Sequence, residues 1–143
     1  MIITICGSQN SEFFIDEMKK AQELLQKKGH EVHVPDSFEK DSLVTEEFYQ
    51  SSMGREKFLA MKPLWTVAQG KKIENSDAVL IMNHEKKGIK GYIGSNTLME
   101  LSIALYLGKK IYFLHPIDDE HPHFEELIGV NSIVLNGDLD KIE

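Results

Sequence analysis

The sequence predicts an α/β fold: a three-layer sandwich on an open parallel sheet of about five strands, of the Rossmann or flavodoxin-like type. Unbroken apolar runs occur at 78–82 and 111–114, and 2–6 is a further short, mostly apolar stretch. Such runs suit strands covered on both faces. Stretches with apolar residues at helical spacing separate them, and glycine or proline marks most of the junctions. The 143 residues suffice for one core, and 1–143 is read as a single domain.

The elements follow in order. The strand at 2–6 runs into Gly7-Ser8-Gln9-Asn10, and Ser11 can cap a helix with Glu12 in its first turn. Phe14, Met18, Ala21, Leu24 and Leu25 recur at helical spacing opposite Lys19, Lys20, Gln26 and Lys27. Gly29 ends that helix, and 32–34 is a second strand stopped by Pro35, completing a βαβ unit. In 36–72, Ser42 or Thr45 can cap one helix, and Gly54 and Pro63 interrupt the pattern. Two helices are expected there, the second reaching about Lys72. Asn75-Ser76-Asp77 turns into the third strand, 78–82. A loop over 83–95 leads to a helix over 96–107, capped by Ser95 or Asn96 and terminated by Gly108. The fourth strand ends at His115-Pro116. Pro122 opens a short helix, and 133–135 is a fifth strand ended by Asn136-Gly137.

Composition narrows the function. Apolar residues are 41% and charged residues 27%, ordinary values for a globular chain. The net charge of −7 offers no global basic field for a nucleic acid polymer or an anionic membrane. No apolar run approaches the ~20 residues of a membrane span. The first residues lack the charge pattern of a signal peptide, and the single cysteine, Cys6, suits a reducing compartment. A cytoplasmic location is expected. The six histidines show no zinc-like spacing. His121-Pro122-His123 reads as an exposed loop, and Phe58 and Trp65 as packing groups. No metal and no cofactor is expected.

Three places can carry chemistry. Gly7, Ser8 and Gln9 follow the first strand, where a glycine admits a ligand to the backbone and the next amides can hold an anion. The blander alternative is a tight strand-to-helix turn. It is not the dinucleotide fingerprint, which needs two more glycines. Gly88, Gly91 and Gly94 punctuate the long loop after the third strand, where ligands meet an open α/β sheet. Glu100 follows, among Leu98, Met99 and Leu101. Spacing leaves it two readings: a carboxylate favoured by a helix N-terminus, or a nucleophile able to form a covalent glycosyl intermediate. Asp77 reads as a turn residue.

The run SDAVLIMN, then GYIGSNTLMELSIALYLGKKIYFL, together with the Gly7-Ser8 loop, resembles the nucleoside 2-deoxyribosyltransferase-like superfamily, which includes 2′-deoxynucleoside 5′-phosphate N-hydrolases. The resemblance covers the first strand and most of 73–115; 36–72 matches poorly. It implies that Glu100 is the nucleophile at the anomeric carbon of a nucleoside or nucleotide. It also implies that Gly7, Ser8, Gly94, Ser95 and Asn96 bind phosphate or sugar, and that the protein is a homodimer or higher homo-oligomer. Two departures stand out. An aspartate that usually precedes Asp77 by eight residues is Gln69, which can hydrogen-bond a base but cannot act as a carboxylic acid. A serine six residues before the glutamate is Gly94, with Ser95 adjacent. The activity implied is cleavage or transfer of an N-glycosidic bond. The alternatives are a catalytically inactive nucleotide-binding or sensor module, and a phosphoribohydrolase of the lysine-decarboxylase-like type, whose denser glycine run 91–97 only partly matches.

Overall fold

The computed structural model describes residues 1–36 and 52–143. In chain order the elements are β1 (Ile2–Gly7), α1 (Glu12–Lys27), β2 (Glu31–His33), α2 (Ser52–Glu74), β3 (Ala78–Met82), α3 (Ser95–Tyr106), β4 (Lys110–Phe113), α4 (Phe124–Ile128) and β5 (Ile133–Val134), then a 3-10 turn at Leu139–Lys141. The sheet order is β2-β1-β3-β4-β5. All four pairings are parallel. This is the flavodoxin-like order, in which successive strands are added to one side of β1 and then to the other, leaving a crevice beyond the carboxyl ends of β1 and β3.

Alternation along the central strands builds the two outer layers. Ile3, Ile5, Ala78, Leu80 and Met82 pack with Met18, Ala21 and Leu25 of α1 on one face. Cys6, Val79 and Ile81 point the other way, into a second core with Ile73 of α2, Leu101 and Ala104 of α3, and Leu127 of α4. Thr4 also turns to that second side, where its Oγ1 meets Ser76 Oγ at 2.6 Å. Asp77 serves the scaffold, its Oδ2 accepting from the Ile2 amide at 2.7 Å. That contact lies at the amino end of the sheet, away from the crevice.

The start of α1 is as expected, with the Ser11 side chain accepting from Phe14 N. Three expectations are corrected. Gly54 and Pro63 do not divide their segment, because α2 runs unbroken through both. Gly54 lies in the first turn, where its amide needs no intrahelical partner. Pro63 removes one bond from a helix of 23 residues, whose inner side is held by burial of Ile73 and Gln69. The other expected helix, from Ser42 or Thr45, lies outside the described residues. The cap of α3 is Gly94, with no side-chain cap bond, not Ser95 or Asn96. Finally, His121 is 4% exposed. Its Nδ1 accepts from His123 N and its Nε2 lies 3.1 Å from Ile93 N, so it ties two loops together.

Candidate active site

A cleft of about 1080 Å³ opens at the carboxyl ends of β1 and β3. It brings together every candidate site residue: Gly7, Ser8, Gln9, Gln69, Gly94, Ser95, Asn96 and Glu100. The sheet favours glycine at position 7. A Cβ there would sit 3.0 Å from Met82 Cβ and 3.2 Å from Met82 O, so any larger residue would have to push β1 and β3 apart by a few tenths of an ångström at the crevice.

The loop after β3 forms one wall. Asn83, 1% exposed, pins it. Its Oδ1 accepts from His115 N at 2.9 Å, and its Nδ2 donates to His115 O at 2.7 Å and to Gly91 O at 3.4 Å. Gly91 has φ +67 and presses on the Pro116 carbonyl, which a Cβ would meet at 2.1 Å. Before it, Lys86 and Ile89 exchange backbone bonds of 3.2 and 3.0 Å. Lys87 and Gly88 between them both have positive φ, 54° and 72°. This is the geometry of a two-residue primed turn. It aims two ammonium groups at the Tyr92 ring, 5.8 and 5.5 Å from its centroid. Lys86 also donates to Ser8 Oγ at 3.4 Å, linking this loop to the one after β1.

Glu100 lies at the foot of the cleft. With α3 starting at Ser95, it is the sixth helical residue. A helix-terminus charge effect fades within the first turn, so the dipole reading loses its basis. The residue is 5% exposed. Burial pushes its carboxyl up to about 7, opposed by a hydrogen bond from the Cys6 thiol. Asn96, one turn earlier, donates from Nδ2 to Glu100 Oε1 at 3.3 Å. Cys6 is itself raised, chiefly by burial and then by the Glu100 charge. Its Sγ accepts from Gln69 Nε2 at 3.4 Å. A chain Gln69–Cys6–Glu100 therefore joins α2, β1 and α3 beneath the cleft.

Several cleft residues were missed from sequence. Cys6 was weighed only as a disulfide candidate, although strand alternation separates it from Ile3 and Ile5 and turns it toward α3. Lys86 and Lys87 precede a glycine in a long loop, a signal for a hairpin turn that was open to reading. Phe58 and Trp65 form an edge-on pair at 5.7 Å and also line the cleft, so they combine packing with exposure to whatever enters. His84 lines it as well, stacked on Phe14 at 6.0 Å. Among the described residues no group of histidine, cysteine or carboxylate side chains could hold a metal ion. No described helix is long and apolar enough to cross a membrane.

No protein-family model matches the sequence, and no curated protein matches it. Solved structures do. A 2-deoxyribosyltransferase from Bacillus psychrosaccharolyticus superposes with a TM-score of 0.51 at 21% identity, covering 79% of this chain and 71% of that one. The CMP N-glycosidase BcmB of Clostridium botulinum superposes with a TM-score of 0.56 at 14% identity, covering 98% of this chain and 92% of that one. At such identities the likeness speaks for architecture, and this chain has the five-stranded, flavodoxin-like α/β fold that the deoxyribosyltransferase and the N-glycosidase share.

Proposed function

We propose that the protein cleaves or transfers the N-glycosidic bond of a nucleoside or nucleoside 5′-monophosphate, with Glu100 as nucleophile. The observation that carries this reading is the Glu100 carboxyl, buried at the foot of a cleft at the sheet's switch point and held by Asn96 and Cys6. A buried carboxyl with a strongly raised pKa and two orienting partners in a cleft has the marks of a reactive group. The fold neighbours act on the same bond: one is a deoxyribosyltransferase and the other a nucleotide N-glycosidase.

The chemistry balances with these parts. The Glu100 carboxylate attacks C1′, the C1′–N bond breaks, and the base leaves with the electron pair and takes a proton from water. Water then attacks C1′, or the nitrogen of a second base does; the attacking group gives its proton to the hydroxide left by the first step, the ester C1′–O bond breaks and the carboxylate is released. Ser8, the amides after β1 and the open first turn of α3 at Gly94, Ser95 and Asn96 surround the remaining ligand. Lys86 and Lys87 favour a ligand that carries phosphate, since they concentrate positive charge in a chain whose net charge is −7. Assembly as a homodimer or higher belongs to the same reading. It is supported by exposed apolar side chains on neighbouring helices: Leu64 and Val67 on α2, Met99 and Tyr106 on α3.

The test is incubation with a panel of ribo- and deoxyribonucleosides and their 5′-monophosphates, with released base measured by chromatography. Release that disappears in Glu100→Ala supports the reading, and a second base added to the mixture separates transfer from hydrolysis. Absence of release across the panel overturns it. One observation favours a second reading, a binding module without turnover: Gln69 has no acidic proton to give a departing base, and both its N–H groups are engaged elsewhere. Tight binding of a nucleotide without turnover would decide for that module.

A further inference from the structure

One polar atom in the cleft is left over by the fold. Gln69 is 2% exposed on the inner side of α2. Its Nε2 donates to Ile5 O at 3.0 Å and to Cys6 Sγ at 3.4 Å, so both its N–H bonds are committed. Its Oε1 is buried and has no hydrogen-bond partner among the described residues. The amide cannot turn over to solve this. Flipping it would set Oε1 against the Ile5 carbonyl, lone pair against lone pair, and would forfeit the 3.0 Å bond to it. The side chain therefore has one orientation and offers one kind of bond: it accepts. Folded proteins seldom keep a buried acceptor unsatisfied without a use for it.

Gln69 lines the same cleft as Glu100, and its amide nitrogen is coupled to it through the Cys6 thiol. We propose that Gln69 is a specificity residue that accepts a hydrogen bond from the ligand. The site then takes a ligand presenting an N–H or O–H to this atom and rejects one presenting a lone pair there. The identity of the ligand rests on the N-glycosidic reading above; the polarity of the bond follows from the two N–H bonds already made. A carboxyl group here could accept or, when protonated, donate. A glutamine locked in this way only accepts. Sites built to bond one ligand group discriminate well because the mismatch strands a buried polar atom. Two ligand groups have the required chemistry: an amino or ring N–H of the base, and the 2′-hydroxyl of ribose.

The experiment is equilibrium binding by calorimetry in a Glu100→Gln background, which removes the attacking carboxylate while ligands equilibrate. CMP against UMP and AMP against IMP exchange an amino group for a carbonyl and turn the adjacent ring nitrogen from acceptor to N–H donor, so preference for the amino member assigns the bond to the amino group and preference for the other assigns it to the ring N–H. Each of the four against its 2′-deoxy form removes the hydroxyl. With Gln69 present, at least one pair is expected to differ about tenfold or more in favour of the donor. Gln69→Leu should bring that pair within about twofold by weakening the donor ligand alone. Gln69→Glu, whose second oxygen would face the Ile5 carbonyl unless protonated and whose protonated form can donate, should lose the accept-only preference, and thermal melts check that both variants fold. Discrimination along the amino–carbonyl pairs assigns the bond to the base, and along the ribo–deoxy pairs to the sugar. Nucleotide binding with no discriminating pair, or an equal loss for every ligand in Gln69→Leu, overturns this proposal alone. Failure of every nucleotide to bind overturns it together with the N-glycosidic reading.

Discussion

Replacing Glu100 with glutamine should stabilise the protein at alkaline pH and leave it nearly unchanged in acid. Glutamine has the shape of the protonated acid and never ionises. The Glu100 carboxyl is raised from an ordinary 4.5 to about 7 because burial strips water from its charged form. A carboxyl whose folded pKa exceeds its unfolded one binds its proton more tightly in the native state. Its favourable contribution is complete below the unfolded value and is lost as pH rises through about 7. The span from 4.5 to about 7, at ~1.4 kcal/mol for each pH unit, comes to about 3 kcal/mol.

Urea melts of the two proteins at pH 4.5 and pH 8.5 measure this directly, with midpoint shifts read at constant slope. Comparing the pair at each pH cancels every other titrating group. The expected gain for Glu100→Gln is under ~0.5 kcal/mol at pH 4.5 and about 3 kcal/mol at pH 8.5. A gain that is the same at both pH values, or a loss at pH 8.5, refutes the claim that the folded protein holds this carboxylate against a desolvation cost. Loss of activity in the stabilised variant would complete the signature of a group kept for chemistry at the expense of stability.

Other outcomes follow from the same geometry. If Glu100 attacks as a carboxylate, kcat/KM should rise with pH with a midpoint near 7, since this parameter follows the free enzyme's essential groups; a flat profile from pH 5 to 8 argues against that role. Asn83→Ala removes two hydrogen bonds that tie the end of β3 to His115 after β4 and one that holds Gly91 within the β3 loop. It should cost about 2–3 kcal/mol in denaturant melts and weaken ligand binding through the displaced loop. Gly7→Ala should cost about 1–3 kcal/mol, because its Cβ meets Met82 at 3.0 Å with no flexible side-chain end to yield. Leu64→Glu combined with Val67→Glu should shift the sedimentation coefficient to that of a monomer if the outer face of α2 joins two copies; an unchanged oligomer removes that face from the interface.

The fold was legible because its central strands, β1, β3 and β4, are covered on both faces. Runs such as Ala78 to Met82 have no polar alternation to confuse with a half-exposed strand, and glycine or proline marks their ends. Strand order was not legible, because pairing among parallel strands depends on crossovers that no local pattern records. The long helix α2 was misread through Pro63, whose local penalty is outweighed by burial further along. The site was legible where it sits on strand ends and glycines, as at Gly7 and Gly94. It was illegible where it depends on which side chains meet. Nothing near Cys6 in the sequence says that its thiol lies between Gln69, 63 residues away, and Glu100. His121 failed for the same reason, a polar residue in a loop that folds over both of its ring nitrogens.

The costs in this structure converge on one place, and that convergence argues for function more strongly than any single residue does. A leucine at position 100 would suit a buried helix face flanked by Leu101 and Ala104, yet a carboxyl is kept there in a state that costs stability above neutral pH. Three buried polar side-chain atoms lack partners among the described residues; two of them, Gln69 Oε1 and His84 Nε2, belong to side chains lining the same cleft. Two described residues other than glycine have positive φ, Lys87 and Asn136. Asn136 sits in an ordinary turn before Gly137, a position asparagine tolerates. Lys87 has no such excuse, and it too lines the cleft. Among the described residues the exceptions outside the cleft lining are fewer: Pro63 within α2 and the unpartnered His33 Nδ1. Local rules broken together at one strand-end crevice are what a site looks like when its groups are held for a ligand and not for the fold.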